Sequence, residues 1–476
     1  MTTTDIQPRT PRYKLVFAAL PSYSTSVVTT LMGNLINPMF STLKVGDWIK
    51  PFIWMIGPFF GLWQPFFGFW NDQSTFRWGR RRPVLVLGML MMCVAYTLFW
   101  LVSNLILSSR PLNIALGIVG AVFGHGSVPI LQPAMRALMS DLCQVSELPR
   151  GSSFVSFFFS LGNLTCFLIV CFLPQPFLFG IGMALVVVIP GLIFTKEKRF
   201  VPEEEQPNPS IQAVTPPLLD EKHEDGTDES DPLLSQPQPT QIVRRKQNKF
   251  IQVIKLFLQV WKDRGPVLGA CIATYFSWAG LFPTFPIRLS FVAEVFYKAT
   301  PGTELYKHGI KIASYGMMGN TVVAIVFSLF VPQLLRCLKP SLFFALCHGL
   351  ACIGAFILFI LPPSFLTPNT IWIFICVYVI LLATVVPAVN TVPFVIVDTN
   401  TNPAYRALYA GVLNFFSILG QATGLLLNVL IEWLATFDTG FRFHTQYIWL
   451  LASVGYAGVV CMSGLLRTKP KKNLRT

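Results

Sequence analysis

The chain has 476 residues, 53% of them hydrophobic and 12% charged, where an ordinary soluble domain carries about 25% charged residues. That composition excludes a soluble enzyme or binding module and fits a membrane protein. The formal net charge of +14 then reports on topology, and nucleic acid is not an expected partner.

The apolar residues fall in twelve runs near the ~20 residues that cross a hydrocarbon core. They lie near 15–38, 50–70, 83–107, 113–141, 152–173, 176–195, 265–286, 309–333, 341–361, 370–395, 407–431 and 446–466. The expected fold is an all-α membrane protein of 12 transmembrane helices. It comprises a leader (1–14), a six-helix bundle (15–195), a linker (196–264), a second six-helix bundle (265–466) and a basic tail (467–476). With both termini cytoplasmic, 27 of the 36 Lys and Arg fall on cytoplasmic segments and 8 on the opposite side. This positive-inside asymmetry survives when the long linker is discounted. The first run follows a polar leader and is interrupted by polar residues, so it is expected to remain as an anchor. Most of the ten cysteines sit in the runs or at their ends without metal-ligand spacing; they read as packing residues, and no metal or cofactor is expected.

The first run is rich in Ser and Thr, facing other helices or bonding back to its own carbonyls. The second has Gly57, Gly61 and Gly68 for close helix contact and Pro58 and Pro65 for bends. It ends in GFWNDQSTFRWGRRRP, residues 68–83. This loop resembles the G-x-x-x-D…G-R-R signature between helices 2 and 3 of major facilitator transporters. The resemblance implies that Asp72, Arg80, Arg81 and Arg82 clamp helix ends at the cytoplasmic face and set the inward/outward equilibrium. A basic loop that merely fixes topology is the alternative.

The fourth run contains QPAMRALMSDL, residues 132–142. An ionisable side chain within a span costs ~2.5–3.5 kcal/mol on insertion scales and marks a functional candidate. His125, Gln132 and Arg136 lie within roughly 20–40° of one another on an ideal helix, a polar stripe aimed at a central pathway. His125 also reads as a packing residue. Asp141 falls about 140° from Arg136, so the two should have different partners. Leu112 to Leu142 would extend about 46 Å as one helix, longer than a ~30 Å core. Asp141 is therefore either a substrate and proton ligand or an interfacial latch against the loop arginines. The fifth run adds FFFSLGN and Asn163 to the substrate candidates; Asn163-Leu-Thr165, within a span, is not read as a glycosylation site.

Residues 196–264 turn to Pro, Glu, Asp, Gln and Ser, with an acidic run at 220–231 and a basic one at 244–249, the composition of a disordered linker. Glu229 with Leu233 and Leu234 resembles the acidic dileucine signal read by clathrin adaptors, which implies delivery to endosomal, lysosomal or vacuolar membranes. The plasma membrane is the other expected location.

The two halves repeat. The fourth and fifth runs give VP, then Asp141, Arg150 and FFSLGN; the tenth and eleventh give VP, then Asp398, Arg406 and FFSILGQ. The order supports two parallel six-helix repeats about an axis along the membrane normal. It adds Arg150, Asp398 and Arg406 to the gating candidates.

GFWNDQSTFRWGRRRP, LQPAMRALMSDL, SFFFSLGN, HGIKIASYGMMGNTVV and YAGVLNFFSILGQ are together similar to landmarks of the sucrose-proton symporters and solute carrier family 45, in the glycoside-pentoside-hexuronide group. The resemblance spans both halves and leaves out the linker. It implies a secondary active transporter that moves sucrose, glucose or a related glycoside with a proton. By position Asp141 matches the family's helix 4 acid linked to coupling and sugar binding, and Arg150 lies near its basic position entering helix 5. A carboxylate can accept sugar hydroxyls or, when desolvated, a proton. The chain departs from the family at Met32 and Ser290, where relatives carry acids, which weakens the expectation of proton coupling. No HExxH, GxSxG, P-loop or Cys/His cluster supports an enzyme. A membrane scaffold or receptor, and a major facilitator carrier of a non-sugar molecule, remain the alternatives.

Overall fold

The apolar runs fold as helices. The computed structural model describes residues 10–45, 50–104, 109–173, 175–195, 249–263, 265–300, 303–362, 364–402, 405–435 and 444–466, and no strand occurs among them. The first half contains α1 (Arg12–Thr42), α2 (Lys50–Gly61), α3 (Gln64–Asp72), α4 (Arg82–Ser103), α5 (Arg110–Leu142), α6 (Leu148–Phe172) and α7 (Pro176–Phe194). The second contains α8 (Lys249–Asp263), α9 (Pro266–Leu281), α10 (Thr284–Phe291), α11 (Glu304–Cys337), α12 (Pro340–Ile360), α13 (Ile371–Cys376), α14 (Val385–Asn400), α15 (Arg406–Ala435) and α16 (His444–Met462). Among the described residues ten helices are long and apolar enough to cross a membrane, and Pro266–Leu281 is a shorter apolar one.

Three runs are broken where the sequence weakens the helical ladder. The second divides into α2 and α3, with Pro65 in the first turn of α3, where its missing N–H leaves no acceptor unsatisfied. The seventh breaks between α9 and α10 at Phe282-Pro283. The tenth passes from α13 through a π-helical turn, Val377–Leu381, into α14.

Each half closes on its own core. Leu31, Met92, Tyr96 and Phe99 form one cluster of the first half, and Leu15, Leu85, Leu131 and Leu138 another. Phe344, Val392, Leu408 and Leu413, and separately Phe291, Phe374, Trp449 and Tyr456, fill the second. Phe69 of α3 crosses into the second half's core and Val395 of α14 into the first's. Outward faces stay apolar, with Val186, Ile193, Phe330, Leu426 and Val454 exposed, a surface suited to lipid tails.

The expectation of disorder over 196–264 is corrected at its end, because Lys249–Asp263 is the helix α8. Its apolar residues recur at helical spacing, a pattern that the polar composition upstream concealed. The remainder of the linker, with Glu229, Leu233 and Leu234, lies outside the described residues, as does the tail. α1 begins at Arg12, inside the segment assigned to the leader.

Candidate functional site

Between the halves, α1, α5, α6, α9, α14 and α15 surround a small cavity of about 50 Å³. Gln132 and Arg136 enter it from α5, Asn390 and Phe394 from α14, and Asn414 and Gln421 from α15, while Phe159 and Trp278 add aromatic walls. Arg136 is buried. Its guanidinium donates to the Asn390 carbonyl at 2.7 Å and to Asn390 Oδ1 at 2.8 Å. It also stacks 3.9 Å above the centroid of the Phe394 ring. The planar, fork-shaped cation thus spans the two halves while lining the cavity, a geometry that lysine does not reproduce.

The Asn390 and Asn414 side-chain nitrogens are buried and make no hydrogen bond among the described residues. Leaving a buried donor unmade costs about 1–3 kcal/mol, so both are suited to donate to a ligand oxygen in the cavity. Gln132 Oε1 accepts from Gln64 Nε2 at 3.2 Å. Amide donors beside aromatic walls suit a ligand that carries both hydrogen-bond acceptors and an apolar face.

A second constellation joins the halves at the end of the bundle where α3, α5 and α14 finish and α4 and α15 begin. Gly79, at φ 106°, allows the tight turn that brings Arg80 and Arg81 back over α5. Asp141 faces Arg80 at 2.9 Å, Arg81 Nε at 3.0 Å and Arg406 at 3.3 Å. Asp72 accepts from Arg81 at 2.6 Å, and both side chains are fully buried. Asp72 Oδ1 also accepts from the backbone N–H of Ala407 at 3.3 Å, and Oδ2 from that of Leu408 at 2.8 Å. A carboxylate from one half thereby caps the N-terminus of a helix from the other, where unsatisfied N–H groups and the helix dipole favour negative charge. Arg406 donates to the Ser140 carbonyl and the Ser140 hydroxyl to Asp398. A Cβ at Gly411 would stand 2.5 Å from the Gln64 carbonyl oxygen, so glycine lets α15 and α3 touch here.

The candidates therefore separate by place. Gln132 and Arg136 line the cavity. His125 does not: its Nδ1 lies 2.9 Å from where a Cβ of Gly57 would be, between α5 and α2. Asn163 Oδ1 accepts from the hydroxyls of Ser26, at 2.7 Å, and Thr30, which ties α6 to α1 within one half. Asp72, Arg80, Arg81, Asp141, Asp398 and Arg406 share the gate-like network. Arg82 instead donates to the Thr195 carbonyl at the end of α7. Arg150 forms no hydrogen bond or ion pair among the described residues. Met32 is buried in the first half's core, surroundings in which an acid would be costly.

Asn390, Asn414, Phe394 and Trp278 were absent from the sequence candidates. A signal for part of this set exists in the repeat: the register that aligns Pro129 with Pro387 also places Gln132 on Asn390 and Asn163 on Gln421. Amide positions of the first half thus point to cavity amides of the second.

The family model described as Major Facilitator Superfamily matches residues 25–425. Among solved structures, the chain is similar to FucP, a Major Facilitator Superfamily transporter in the outward conformation, with a TM-score of 0.61 at 11% identity over 96% of this chain and 99% of that one. It is similar to an outward-facing bacterial homologue of the iron transporter ferroportin, with a TM-score of 0.60 at 15% identity over 95% and 98% of the two chains. An E. coli fucose:proton symporter variant gives a TM-score of 0.59 at 13% identity over 95% and 98%. These likenesses concern the fold.

Proposed function

Because the chain belongs to the Major Facilitator Superfamily, we propose that it is a secondary active transporter that carries a sugar, sucrose, glucose or a related glycoside, together with a proton by alternating access. The observation that carries this reading is the cavity between the halves, where unpartnered donors of Asn390 and Asn414 face the same space as Arg136, Phe159 and Trp278. Sugar hydroxyls would accept from the amides and the guanidinium. The aromatic walls would cover the sugar's carbon face.

In this reading the network around Asp72 and Asp141 is the cytoplasmic gate, and both termini and the linker are cytoplasmic. Residues 15–195 and 265–466 are the two bundles that rock about the cavity. Asp141, held by three arginines, serves as the latch. Asp398 accepts the Ser140 hydroxyl and forms no ion pair among the described residues, which makes it the better proton acceptor of the two repeat-related acids. Glu229, Leu233 and Leu234 would bind clathrin adaptors and direct the carrier to endolysosomal or vacuolar membranes.

Uptake of a radiolabelled sugar panel into proteoliposomes under an imposed inward proton gradient tests the proposal. Saturable uptake of at least one sugar, faster with the gradient than without it, is expected. Absence of flux for every sugar with folded protein present would refute the sugar assignment, whereas flux indifferent to the gradient would refute coupling.

A further inference from the structure

The helix α8 takes part in neither the cavity nor the gate. It is KFIQVIKLFLQVWKD, residues 249–263, and at about 100° per residue its sides differ sharply. Phe257 and Val260 face the protein: Val260 is buried, and the Phe257 ring lies 5.3 Å from Phe415 and 6.4 Å from Phe416 of α15. The adjoining sector, roughly 80° wide, holds Ile251, Ile254, Leu258 and Trp261, all between 39% and 49% exposed. Lys255 and Lys262, both exposed, follow within about 40° of Ile251.

Fifteen residues with three lysines are too short and too charged to cross a hydrocarbon core. A helix that merely faced lipid tails would not border its apolar sector with ammonium groups. The depth is also informative. Phe415 and Phe416 stand nine and ten residues into α15 from Arg406, about 15 Å along its axis, and Pro266 opens α9 three residues beyond α8. The helix also packs on α3, which ends at the gate, so it lies on the gate side of the bundle and its C-terminal end, leading into α9, is directed to that face of the membrane.

We propose that α8 is an interfacial helix that binds the surface of a leaflet rich in acidic phospholipid. Ile251, Ile254 and Leu258 insert among the upper acyl chains, while Trp261, whose ring centroid lies 5.6 Å from that of Phe416, sits where this sector meets the protein. Lys255 and Lys262 extend along that apolar surface to pair with anionic headgroups, the arrangement open to long cationic side chains at an interface. Basic groups close to such a surface each contribute appreciably and lose their effect beyond a Debye length, so position matters as much as number.

The test is amide hydrogen exchange of the full chain in nanodiscs of phosphatidylcholine alone and of an equal mixture with phosphatidylserine. Exchange over 249–263 should be roughly tenfold slower in the acidic discs, with α12 unchanged. The pair Lys255→Gln and Lys262→Gln, both at exposed positions, should remove most of that difference while leaving Tm in detergent unaltered. Equal exchange in the two lipids would overturn the proposal. So would an acidic-lipid effect that the double variant retains, or protection already complete in detergent, which would assign the helix to protein packing alone.

Discussion

Arg136 and Asp141 lie five residues apart on α5, yet they belong to different parts of the molecule. Helical geometry foretold the separation, and the structure supplies the partners: Asn390 and Phe394 for one, three guanidinium groups for the other. What the sequence could not convey is which polar side chains are consumed by packing. Asn163 looked like a substrate ligand because it sits in a greasy helix; its carboxamide oxygen is taken by Ser26 and Thr30. Asn163→Ala should therefore cost about 1–3 kcal/mol of stability, the loss of hydrogen bonds inside the first half, and lower Tm by about 2–8 °C. Sugar KM should not change. A raised KM at unaltered Tm would return Asn163 to the binding site.

At the scale of elements, the junction of α3 with α15 depends on a carboxylate in one half and bare backbone in the other. The motif GFWNDQSTFRWGRRRP identified Asp72 and its arginines, but no side-chain pattern announces the N–H groups of Ala407 and Leu408. Only folding brings a helix start opposite the acid. Asp72→Asn keeps the shape and can still accept from a helix N-terminus, but it removes the charge that faces Arg81 and the dipole of α15. Charge-assisted hydrogen bonds contribute about 1.5–3 kcal/mol, so the ratio of open to closed forms at this end should rise about 10- to 100-fold. Spin labels on cysteines placed at Thr75 and Asn402 would report it as a new long-distance population. An unaltered distance distribution would show that the cap does not hold the gate. The helix α8 was misread for a different reason: a short amphipathic stretch is outweighed by the long polar segment before it when composition is averaged.

For the whole molecule, twofold repetition was legible because Asp141, Arg150 and FFSLGN recur in order as Asp398, Arg406 and FFSILGQ. The repeat did not foretell an asymmetric gate. Arg406 reaches across to Asp141 and Ser140, whereas Arg150 forms no corresponding pair among the described residues, and Asp398 takes the hydroxyl of Ser140 instead. The asymmetry lies in the side-chain partners, since an axis along the membrane normal relates the two halves equally whichever end of the bundle is closed. The cavity likewise depends on pairing across the halves, so the sequence exposed Gln132 and Arg136 but not the amides opposite them.

The central claim, that this cavity is the sugar site, is tested most directly by counterflow of radiolabelled sugar in proteoliposomes, comparing the natural chain with the Asn390→Ala, Asn414→Ala double variant. Two hydrogen bonds to the ligand, each contributing about 0.5–1.5 kcal/mol, predict a KM raised roughly 5- to 100-fold, with a lower Tm because Asn390→Ala also removes the Oδ1 acceptor of Arg136. A double variant that exchanges sugar with unchanged KM would contradict the account.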